Sequence, residues 1–66
     1  MINGTLLREK YGWDRLFIIL ERTKVTKDWA HLVGDIDGYK IARCDRINHP
    51  FFVDDYEITQ KFEVIA

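Results

Sequence analysis

Apolar residues fall along this chain in short clusters separated by polar turns, a spacing that suits strands better than long helices. The densest cluster is Leu16-Phe17-Ile18-Ile19-Leu20, set between Arg15 and Glu21-Arg22. Its paired isoleucines favour a strand over 15–23. Apolar residues on both faces of that strand imply that both faces are covered, as in a barrel or sandwich. Lys24-Val25-Thr26-Lys27-Asp28 then reads as a polar connection. Further on, Asp37-Gly38 separates Trp29-to-Ile36 from Tyr39-to-Ile47. That dipeptide tolerates the positive φ angles of a type I′ turn, so it predicts an antiparallel hairpin about itself. In this register Ile36 faces Tyr39, Asp35 faces Lys40 and Val33 faces Ala42, giving an apolar, a charged and an apolar pair.

The two ends are shorter readings. Asn3-Gly4 is a turn signal, and Thr5 to Gly12 fits either a short helix, with Thr5 as N-cap and Gly12 as terminator, or a first strand. Asn48-His49-Pro50 breaks the chain before Phe51-Phe52-Val53. In the last segment Tyr56, Ile58, Phe62 and Val64 alternate with Glu57, Thr59, Lys61 and Glu63, the pattern of a half-buried strand. The expected fold is therefore mainly β: a small antiparallel curled sheet or SH3-like barrel with a short N-terminal helix or turn. Asp28-Trp29-Ala30 followed by Gly38-Tyr39 resembles the central hairpin of SH3-type barrels. The resemblance covers under a third of the chain and lacks the acidic-aromatic motif of the peptide-binding SH3 family, so it bears on architecture alone.

Composition narrows the class. Sixty-six residues make one domain, 1–66, that buries only ~60% of its unfolded surface. A 47% hydrophobic content with nine aromatics argues against disorder. Cys44 is the single cysteine, so no internal disulfide forms, and with His31 and His49 it is too few for an ordinary four-ligand zinc site. No apolar run approaches the ~20 residues of a membrane span, and no basic-then-apolar leader opens the chain. A cytoplasmic setting is expected. The net charge of −1 gives no global pull toward nucleic acid or anionic membrane.

Candidate chemistry is sparse. The hairpin register would set His31 across from Cys44, the start of a thiol nucleophile, but nothing supplies an oxyanion hole or orienting group. The plainer reading makes Cys44 a small buried hydrophobe. His49, Asp54 and Asp55 fit a hard-cation site only loosely, and no glycine-rich phosphate loop exists. No catalytic residue, metal or cofactor is therefore expected. Helical spacing of Trp13, Leu16, Phe17 and Leu20 invites a helix-turn-helix, yet Glu21 and Arg22 stand where its turn needs a small and an apolar residue. Arg22, Lys24, Lys27, Lys40 and Arg43, with Trp29 and Tyr39 for stacking, would serve a nucleic-acid- or nucleotide-binding small barrel. Against it, the chain from Asp35 onward carries seven acids and four bases. Asp35, Asp37, Asp54, Asp55 and Glu57 raise the reverse idea of a phosphate mimic, which the near-zero net charge does not favour.

Tyr11, Trp13, Trp29, Phe51 and Phe52 all fall at or beside predicted turns and strand ends, which suggests protein contact, since Trp and Tyr anchor interfaces. The expected partner-binding face joins Trp29, Phe51 and Phe52 to Asp54, Asp55, Tyr56 and Glu57, acids that could steer a basic partner. The resulting expectation is a non-enzymatic protein-binding or inhibitory module, of the sort phage-encoded modulators of host or defence proteins represent. Nucleic acid is the alternative partner, and a homo-oligomer is a further way to support so small a core.

Overall fold

Phe17 and Ile19 turn to one side of an extended chain and Ile18 to the other, and only the first two are buried. A sheet with one deep face follows. The computed structural model describes residues 2–29 and 32–66, with side chains described outside 27–33. Its elements are β1 (Leu6–Glu9), β2 (Leu16–Trp29), β3 (Leu32–Arg43), β4 (Phe51–Asp54), α1 (Asp55–Lys61) and β5 (Phe62–Val64). The strands form one antiparallel sheet in the order β4-β3-β2-β1-β5. It is curled but not closed, because β4 and β5 remain as edges. The mainly β, curled-sheet expectation therefore holds, while no closed barrel forms.

α1 carries the chain from the β4 edge across to the β5 edge and covers the deep face. Leu7, Phe17, Ile19, Tyr39, Ile41 and Val53 from the strands meet Ile58 of α1 and Phe62 of β5 there. Phe17 organises the aromatic part, edge-on to Phe62 at 5.0 Å and to Phe51 at 6.0 Å between ring centres.

Two expectations are corrected and one open alternative is decided. First, the hairpin does not turn at Asp37-Gly38. β2 and β3 pair from Phe17↔Arg43 to Trp29↔Leu32, and Asp37-Gly38 sits mid-strand opposite Lys24 and Thr23. The supposed connection Lys24–Asp28 is itself strand. Gly38 is needed for space: a Cβ there would strike the Val53 carbonyl oxygen and stand 2.7 Å from Asp54 Cα and Phe52 Cζ. Its glycine serves the close passage of β4. Second, of the two readings open for Thr5 to Gly12 the strand is the one formed: the Asn3-Gly4 turn leads directly into β1, and the helix reading falls. Thr5 is buried and its hydroxyl donates to the Ile2 carbonyl (2.6 Å), so it closes the turn and caps nothing. Third, residues 55–61 are helix where alternation implied strand. The Asp54 carboxylate accepts from the Glu57 N–H (2.6 Å), Asp55 and Glu57 occupy the first turn, and Lys61 the last. Buried Ile58 and Phe62 stand four apart, a spacing that serves helix as well as strand, whereas Tyr56 and Val64 are exposed.

Candidate functional site

β1 ends and β2 begins at the same end of the sheet as the end of β3 and the start of β4, because all four are antiparallel in sequence order. The connections 10–15 and 44–50 therefore emerge side by side, opposite the outer end of the β2–β3 hairpin. The 10–15 loop is held firmly. Glu9 N–H donates to the Arg15 carbonyl (3.0 Å), and the Glu9 carboxylate accepts from Arg15 Nε (3.0 Å) and from a second guanidinium nitrogen (3.2 Å). The hydrogen bond from Arg15 holds the Glu9 carboxyl below its ordinary range. Lys10 ties the loop to the helix end, its N–H donating to the Lys61 carbonyl and its ammonium to the Thr59 carbonyl, both at 2.8 Å. Gly12 (φ +93°) and Asp14 (φ +53°) supply the left-handed turns.

The tip of this pinned loop presents Tyr11 and Trp13, 75% and 82% exposed. Beside it, Cys44 N–H donates to the Leu16 carbonyl (3.0 Å), and Arg43 clasps Asp45 through two hydrogen bonds of 2.9 and 2.6 Å. That clasp lowers the Asp45 carboxyl and raises the Arg43 guanidinium. Arg15, Leu16, Arg43, Cys44 and Asp45 line an open cleft of about 300 Å³. Leu16, Ile47 and Phe51 are exposed around the same end. Tyr11 and Trp13 lay outside the face expected from the sequence, although their position at a glycine-marked loop was a usable signal.

The expected face is only partly assembled. Phe51 lies on the deep-face side, touching Phe17 yet 43% exposed, and Phe52 lies on the other face above Gly38. Tyr56 is 74% exposed. The acids are engaged within the chain: Asp54 caps α1, Asp55 takes both arms of the Arg22 guanidinium, and Glu57 accepts from Lys61 (2.9 Å). The side chain of Trp29 lies outside those described.

The alternative basic set is likewise engaged. Arg22 also lies over the Tyr39 ring at 4.6 Å, Lys24 pairs with Asp37 (3.7 Å), Lys40 with Glu21 (3.9 Å) and Arg43 with Asp45. Lys27 lies outside the described side chains. The hydrogen bonds from Arg22 hold the Asp55 carboxyl below its ordinary range.

Other candidates separate. His31 lies outside the described residues, but Cys44 stands at the far end of β3 from Leu32 and is exposed, not buried. His49 precedes β4 whereas Asp54 and Asp55 follow it, and among the described residues no group of three His, Cys, Asp or Glu side chains comes together to hold a metal. No helix among the described residues is long and apolar enough to cross a membrane. No family model, curated protein or solved structure matches this chain.

Proposed function

We propose that this chain is a non-enzymatic binding module that docks one end of its sheet onto a partner protein, with no cofactor. The observation that carries the reading is the pinned 10–15 loop, which holds Trp13 and Tyr11 out in solvent beside exposed Leu16, Ile47 and Phe51. Exposed aromatics on a flexible loop would lose much of their binding energy to ordering, and this loop has already been ordered. Phe51 and Tyr56 are the members of the expected face that stay available, and they extend the surface along β4 and α1. Acidic steering has no part in it, because Asp54, Asp55 and Glu57 each serve an internal partner.

In its inhibitory form the module would cover a working surface of its partner, as a phage-type modulator does. The curled sheet then fills the role of the SH3-like frame. A reducing, cytoplasmic setting fits the exposed free thiol of Cys44. Nucleic-acid binding has less support, since Arg22, Lys24, Lys40 and Arg43 each face a carboxylate. The experiment is a capture from lysate with wild type and Trp13→Ala in parallel. A protein retained in high salt by the wild type and lost by the variant supports the reading. Retention by both refutes it, and binding of single-stranded nucleic acid that falls steeply with salt favours the alternative.

A further inference from the structure

The second face of the sheet has no cover within the described residues, yet it is apolar. Alternation from the buried residues assigns it: Leu6 pairs with Ile18 and Ile18 with Ala42, one row across three strands. Ile65, whose N–H donates to the Leu6 carbonyl, extends the row beyond β5. Leu20, at the bulge between Ile19 and Glu21, and Phe52, opposite Lys40, flank it. Leu6, Ile18, Leu20 and Phe52 are half-buried and Ile65 is exposed, while Ala42 beneath them has no accessible surface. α1 occupies only the opposite face, through Ile58.

We infer that this face is covered by a second copy of the chain, the two sheets packing face to face into a sandwich. The balance of charge favours a second copy over a strongly charged partner. The rim holds Arg8 and Lys40 against Glu63 and Glu21, two bases and two acids already arranged as opposite pairs. A two-fold interface joins a surface to itself, so it needs that balance, and a strongly charged partner would find no complement. Four strands spaced ~4.8 Å apart span roughly 14 Å between the outer strand axes, and a second sheet would stack on that face at ~10 Å. Size adds the motive, because a domain of 66 residues is short of buried surface and association is an established remedy.

The inference does not rest on the proposed end-on docking, whose aromatics lie on the 10–15 loop. Sedimentation equilibrium of the purified chain should give a mass rising with concentration from 7.9 kDa toward twice that value, with a melting temperature that rises alongside. Ile18→Lys should return the chain to monomer, and Ile65→Lys, at an exposed end of the row where folding is not at stake, should weaken association at least tenfold. Trp13→Ala should leave it unchanged. A 7.9 kDa mass across the whole range up to millimolar protein overturns the inference, as does association that survives Ile65→Lys with the β signature intact.

Discussion

Gly38 lies directly under the Val53 carbonyl, and no side chain larger than hydrogen fits between them. The obstacle is backbone, so it cannot swing aside. Gly38→Ala should cost about 1–3 kcal/mol, the range for overpacking, and lower the melting temperature by ~4–8 °C per kcal/mol. Gly34 on the same strand has nothing within 4 Å of its would-be Cβ. Gly34→Ala should stabilise by ~0.4–1 kcal/mol through the unfolded chain. Equal effects in a melting comparison would show that β4 does not press on Gly38.

The cap on α1 is separately testable. Asp54→Ala removes the acceptor for the Glu57 N–H and should cost about 1 kcal/mol, while Asp54→Ser or Asn should recover most of it. Chemical denaturation with an unchanged slope distinguishes this from a change in the unfolded state.

Acid should weaken the fold through identifiable pairs. Glu9, Asp45 and Asp55 are held below their ordinary values of 4.5, 3.8 and 3.8 by hydrogen bonds from Arg15, Arg43 and Arg22. A carboxyl with a lowered folded pKa binds its proton more readily in the unfolded chain, so its contribution is full at neutral pH. That contribution is lost as pH falls from the ordinary values through the lowered ones. Melting followed from pH 7 to pH 2 should decline mainly below about pH 4.5, and Glu9→Gln with Asp55→Asn should flatten the decline. A curve unchanged by both substitutions would mean that solvent screens these exposed pairs completely.

The three phenylalanines around β4 should separate by depth. Phe17→Ala empties the centre of the aromatic cluster and should cost about 3–5 kcal/mol. Phe51→Ala loses one edge contact on a ring already 43% exposed and should cost less than about 3 kcal/mol. If end-on docking is correct, Phe51→Ala also weakens partner capture, whereas Phe52→Ala acts on association between copies. Parallel melting, capture and sedimentation of the two variants would show whether the faces are distinct.

Much of the β content was readable because Phe17, Ile18, Ile19 and the run Phe51 to Val53 are strand formers with apolar faces, and burial rewards them wherever they pair. The Asn3-Gly4 turn was readable for the same local reason. The N-cap at Asp54 was present in the letters, but alternation through Tyr56 and Ile58 competed with it, since Ile58 and Phe62 satisfy both periods. Of the candidate site, Phe51 and Tyr56 belong to the expected face and are exposed, although alternation sets Tyr56 on an apolar strand face, while Trp13 and Tyr11 stand out in the sequence only as aromatics near a turn.

What no local pattern contained was the use of Gly38. A glycine after aspartate is the best short-range hairpin signal there is, and here the preference was overridden by pairing along 12 positions from Phe17↔Arg43 to Trp29↔Leu32. The cross-strand contacts of a long ladder outweigh a turn preference at one step. Likewise the acids of residues 54–57 read as a free steering cluster, but Asp54 and Glu57 are taken up locally by α1 through the Glu57 N–H and Lys61, and Asp55 is met by Arg22 from a distant strand. Propensity and pattern are properties of neighbours in the chain, so they chose the kinds of element. Register, the room left beneath β4 and the pairing of Arg22 with Asp55 depend on residues far apart in sequence, and only packing could choose those.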